Sequence, residues 1–144
     1  MERTGEREAR GSTQMTSGAW ASPVKSVGGF TWSGGVLTVP RAGIYQINAV
    51  AHFYADDFHA TSIQVTRNSA VADAGVVAKA EWWQAPTNGT PVNPSVQATD
   101  LAYALNTGDL LRVFVLHRNV NGNRRNTGGG AHDLALQVVW TDSL

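Results

Sequence analysis

The sequence contains no cysteine. That excludes disulfide bridges, thiolate metal sites and cysteine nucleophiles together. Formal charge is also scarce: Asp, Glu, Lys and Arg make up 15% of the chain, against about 25% in ordinary soluble domains. Eleven basic side chains balance eleven acidic ones. No broad field of one sign is left to capture nucleic acid or an anionic membrane. No apolar run approaches the roughly 18 residues that a membrane helix needs. Residues 1–10 alternate in charge and have no apolar stretch, so they do not read as a signal peptide. No segment sustains helical periodicity.

The chain does have fifteen glycines and extensive period-two alternation. Its 144 residues allow one ordinary domain with a core of its own. Residues 1–19 hold little to bury and read as an N-terminal arm; residues 20–144 read as the folded domain. In that domain Tyr45, Ile47, Ala49, Ala51 and Phe53 share one strand face. The same alternation marks strands through Ile63 and Val65, through Leu111, Val113 and Val115, and through Leu134, Leu136, Val138 and Trp140. Shorter strands are expected near 30–32, 36–39, 74–80 and 98–104. Turn signals separate them, among them Gly34-Gly35, Pro40-Arg41-Ala42-Gly43 and Asn106-Thr107-Gly108-Asp109. Gly43 is expected to permit a tight turn. Asp109 is expected to cap turn amides. The class is all-β: an antiparallel sandwich of about eight to ten strands.

Some strands are apolar on both faces. Leu110, Phe114 and Leu116 share the second face of their strand, and Val50 and Tyr54 share the second face of theirs. A strand with one face in water should alternate cleanly. These five residues are therefore the candidate surface for another copy of the chain.

Signs of catalysis are missing. There is no nucleophile elbow, phosphate loop, metalloprotease motif or dinucleotide fingerprint. The chain reads as a non-enzyme with no cofactor. His52, Asp56, Asp57 and His59 lie close in sequence, but each fits a solvated loop, and no metal is assigned. Two features could meet a ligand or partner. One is the pair Trp82-Trp83, whose side chains suit sugar stacking or a protein interface. The other is the polar loop carrying Arg118, Arg124 and Arg125, whose guanidinium groups suit carboxylates or phosphates.

Four segments carry a resemblance. The run Leu37-Thr38-Val39-Pro40-Arg41-Ala42-Gly43-Ile44-Tyr45-Gln46-Ile47 resembles a strand entry of the jelly roll shared by the complement one-q globular head and tumour necrosis factor. Ile63-Gln64-Val65-Thr66-Arg67-Asn68 fits an intervening strand of that superfamily. Tyr103-Ala104-Leu105-Asn106-Thr107-Gly108-Asp109-Leu110-Leu111-Arg112-Val113 looks like its Gly-Asp strand. Leu134-Ala135-Leu136-Gln137-Val138-Val139-Trp140 resembles its closing core strand. The resemblance implies a jelly roll that forms a homotrimer and works by binding. With no stalk, anchor or signal peptide evident, the chain is most similar to small bacterial and bacteriophage versions. On that likeness it is expected to be a virion structural protein on the capsid surface: a decoration protein that contacts the major capsid protein. Arg3, Arg7, Arg10 and Met15 of the arm would make that contact. The alternatives are a receptor- or glycan-binding knob at a phage tail or fibre tip, meeting a host surface glycan, and a bacterial one-q-like binding module.

Overall fold

In a computed structural model, residues 9–14, 27–53, 58–84, 92–119 and 134–144 are described. The strands are β1 (Ala9–Gln14), β2 (Thr31–Ser33), β3 (Val36–Thr38), β4 (Gly43–His52), β5 (Phe58–Arg67), β6 (Val76–Trp83), β7 (Ser95–Leu105), β8 (Leu110–Asn119) and β9 (Leu134–Asp142). They form two antiparallel sheets, one of six strands and one of three in the order β7-β4-β9. In the larger sheet β8 is the hub. β5 pairs along one of its edges and carries β6 beyond. The other edge is shared end to end: β3 takes Leu110–Arg112, and β1 takes Phe114–Asn119.

The inner faces enclose one core. Tyr45, Ile47, Ala49 and Ala51 of β4 are fully buried, as are Ile63 and Val65 of β5 and Leu111 and Val113 of β8. Each set alternates with residues on the opposite face, as the period of a strand requires. The observed class is therefore the all-β antiparallel sandwich expected from the pattern.

Three elements differ from the sequence expectation. Residues 9–14, assigned to an arm, form β1 and pair with β8 from Ala9↔Asn119 to Gln14↔Phe114. A ladder of backbone hydrogen bonds needs no apolar side chain, so composition does not mark this strand. The β6 strand begins at Val76, because Gly75 turns with φ 60°, and it runs on through both tryptophans. Gly43 has a different purpose from a turn: a Cβ there would collide with the Trp140 indole and with the Asp142 carbonyl. It lets β9 lie tightly on β4.

One carboxylate organises an end of the sandwich. Asp109 Oδ2 accepts from the Asn106 amide at 2.7 Å, which is the expected turn cap. Its Oδ1 accepts from Asn68 Nδ2 at 2.8 Å, and Arg67 Nε lies 2.8 Å from Oδ2. Asn68 has φ 54° and exchanges bonds with Leu110: its amide donates to the Leu110 carbonyl, and its side-chain oxygen accepts from the Leu110 amide. The backbones of Val39 and of Gly108 and Asp109 exchange two further bonds, of 2.9 and 2.8 Å. Burial pushes the Asp109 carboxyl up, but the bonds from Asn106 and Asn68 and the charge of Arg67 outweigh it, and its pKa lies below the usual value.

A depressed carboxylate stabilises the fold above its ordinary titration range, and the contribution is lost as pH falls. Asp109→Asn should therefore cost about 2–3 kcal/mol at neutral pH. In urea titrations by circular dichroism, the gap between variant and parent should narrow below about pH 4.

Candidate functional site

The two outer faces of the sandwich differ in chemistry. On the three-stranded sheet the outward residues are Ile44, Gln46, Asn48, Val50 and His52 of β4, with Ser95, Gln97 and Thr99 of β7 and Ala135, Gln137 and Val139 of β9. None of these is an Asp, Glu, Lys or Arg. Asp100 alternates to the other side of β7; Asp142, past the irregularity at the end of β9, pairs with outward Ile44 and forms a charged rim to this face. Leu101 is 69% exposed beside the β7 irregularity. The polar groups satisfy one another: Asn48 Oδ1 accepts from Gln97 Nε2 at 2.8 Å and from Thr99 Oγ1 at 3.2 Å. His52 Nδ1 is bonded to Ser95 Oγ.

The outer face of the six-stranded sheet gathers paired charges around a cavity of about 570 Å³. Strand register explains the hollow. Ala60 pairs with Trp83 on one side and Arg118 on the other. Ser62 pairs with Glu81 and Leu116 in the same way. The central strand thus presents two small side chains between two walls of large ones. At the next position Gln64 fills the space and bonds twice to the β5–β6 connection: Nε2 donates to Asp73 Oδ1 at 2.9 Å, and Oε1 accepts from the Asp73 amide. Lys79 Nζ then lies 3.3 Å from Asp73 and 3.0 Å from Glu81. The bond to Glu81 is the main cause that holds the Lys79 ammonium above its usual pKa. The bond from Gln64 does most to hold the Asp73 carboxyl below its own.

The candidate residues sort by this geometry. Alternation separates the tryptophans: Trp82 is half-buried and packs against the core, whereas Trp83 points outward beside the cavity and is 72% exposed. Arg118 lines the same cavity, so the structure joins two candidates that lie 35 positions apart. Arg124 and Arg125 lie outside the described residues, as do Arg3, Arg7, Met15 and Tyr54. Arg10 falls in β1, opposite Arg118 in register.

The expected self-association residues do not form one patch. Val50 faces outward from the three-stranded sheet, while Leu110, Phe114 and Leu116 belong to the other sheet. Phe114 is 4% exposed within the single chain. The two-sided apolarity of β8 therefore arises partly from cover inside the molecule. It lies beside Gln64 in register, where the connection through Ser69 and Asp73 folds over β5 and β8. Lys79, Glu81, Ser62 and Asp73 escaped the sequence reading. The shared parity of Lys79, Glu81 and Trp83 was a usable signal; their meeting with Arg118 depends on strand order. Asp56, Asp57 and His59 are not described at side-chain level, and no group of three or more metal-ligating residues occurs among the described residues. No helix among the described residues is long and apolar enough to cross a membrane.

No family model matches the chain, and no curated protein matches it in sequence. Solved structures do match its fold. Murine APRIL, from a crystal structure at pH 5.0, has 15% identity and a TM-score of 0.63, with 93% of this chain and 92% of that one covered. Eiger TNF from S. frugiperda has 15% identity and a TM-score of 0.53, covering 84% of this chain and 97% of that one. The chain has a jelly-roll fold of the tumour necrosis factor kind; at 15% identity the likeness concerns fold alone.

The tryptophan assignment has a simple test. Trp82→Ala should cost about 2–3 kcal/mol, part of the full penalty for a buried tryptophan. Trp83→Ala should stay within about 0.5 kcal/mol. Thermal or urea denaturation of the two variants measures the difference.

Proposed function

We propose that the chain is a non-enzymatic structural protein that works as a homotrimer, and that the outward face of β7-β4-β9 is the surface on which copies meet. The uncharged character of that face carries the reading. A sheet face in water ordinarily bears charges that keep it monomeric. Here amides, hydroxyls, alanines and the apolar Val50, Leu101 and Val139 stand in their place. Depletion of charge at the centre of a patch, with polar groups that can pair, is the composition of a protein interface. Burying its centre on a second copy, with Asp142 left at the rim, desolvates no Asp, Glu, Lys or Arg side chain.

The setting we propose is the outer surface of a bacteriophage head, where the trimer contacts the major capsid protein and cements neighbouring capsomers. Several weak contacts per trimer would then have to break together. The motif likeness to small phage versions supports this reading. With β1 held in the sheet, residues 1–8 are the part of the arm proposed to reach the capsid.

Two measurements test these steps. Light scattering on a sizing column should give three times the 15.4 kDa chain mass. The double variant Gln97→Asp, Val139→Asp should run as a folded monomer, since like charges would face each other across the seam. A parent chain that is monomeric, or a double variant that stays trimeric, argues against the interface. For the capsid, the trimer should co-sediment with heads lacking it and raise their disruption temperature; removal of residues 1–8 should weaken both.

A further inference from the structure

We propose that the cavity over β5, between Trp83 and Arg118, binds an uncharged sugar ring. It lies within one chain, on the sheet opposite the proposed trimer face, so the assignment does not depend on that reading.

Trp83 supplies the flat partner. Its indole is 72% exposed and stands beside a hollow rather than on an open surface. An aromatic ring with a polar rim around it suits a ligand that has one apolar face and several hydroxyl groups. A pyranose is built that way, with C–H groups on its faces and hydroxyls at its edge. Ala60 and Ser62 leave the room, and Leu116 gives the opposite wall an apolar part. The volume of about 570 Å³ falls within the range of small-ligand sites and exceeds one monosaccharide.

The polar groups match the hydroxyl edge. Glu81 and Asp73 offer carboxylate acceptors, Lys79 offers donors, and Ser62 offers a hydroxyl. Vicinal hydroxyls need this mixture, because each can donate to one group and accept from the next. The set is also held in place. Lys79 is anchored between both carboxylates, and Asp73 is fixed by two bonds to the buried Gln64. Preorganised partners lose little freedom when a ligand arrives.

The charge balance selects among sugars. Lys79 and Arg118 face Asp73 and Glu81, two positive groups against two negative ones. Lys79 is already engaged by both carboxylates. Among the described side chains, an acidic sugar or a phosphate would meet exposed Glu81 without a surplus cation to offset it. An uncharged ring meets no such penalty.

The test uses the full chain in its native assembly. The probes are methyl glycosides of glucose, galactose, mannose and N-acetylglucosamine and their disaccharides, with sialic acid and glucuronic acid for comparison. Saturation-transfer NMR reads binding, and the indole N–H resonance of Trp83 reports the place. At least one uncharged glycoside should bind and shift that resonance. Trp83→Ala should weaken binding about tenfold or more. Ser62→Leu, which fills the floor of the cavity, should do the same, while sizing shows the assembly unchanged in both. The proposal is overturned if no uncharged glycoside binds, if only the acidic sugars bind, or if binding persists in both variants.

Discussion

The buried carboxylate of Asp109 is the constraint on which one end of the sandwich depends. It takes hydrogen bonds from the β7–β8 turn and from Asn68 after β5, and it faces Arg67 across 2.8 Å. Tyr103, on the other sheet, is in turn the main cause that holds the Arg67 guanidinium above its usual pKa. One negative charge therefore ties the strand turn, the end of β5 and a strand of the opposite sheet. A buried charge is costly alone, so the arrangement holds only while every partner is in place. That gives the register of β8 a chemical stop at its first residue. From Leu110 onward every side chain of the hub strand is then assigned to a face.

Faces assigned in this way sort the scarce charge. Among the described residues, Lys79, Glu81, Asp73, Arg112 and Arg118 belong to the six-stranded side. The opposite sheet presents amides and small apolar groups across its outer face. A chain with 15% charged residues spends them unevenly. The charged side has a cleft with fixed donors and acceptors; the centre of the other face lacks the charges that would keep copies apart. The two proposals thus follow from one asymmetry, yet they concern opposite surfaces.

Much of this was readable from the sequence, and the limits have physical causes. Alternation through Tyr45, Ile47, Ala49 and Ala51 announced a buried strand because a period of two has one meaning in a sandwich. Asp109 announced its turn cap because Asn106 lies three residues away. β1 was hidden, since Gly11-Ser12-Thr13 contributes backbone pairing and no apolar signature. Phe114 was assigned to an intermolecular surface because composition cannot tell cover by a neighbouring loop from cover by another chain. The cleft was hidden for a third reason. Ala60 and Ser62 matter by being small, and small residues are informative only once their lateral neighbours are known.

The sharing of one β8 edge by β1 and β3 has a consequence for the order of assembly in time. All the described strands that pair with β8 precede it in the chain. On the other sheet, β4 lies between β7 and the last strand, β9. During synthesis the N-terminal segments therefore emerge long before the strands that complete them. Most contacts close a long loop, the situation in which folding is slow and unpaired edges stay open longest. A nascent chain halted before residue 110 would hold β1, β3 and β5 with their shared partner still missing. The last quarter of the sequence is what turns the strands before it into a sandwich.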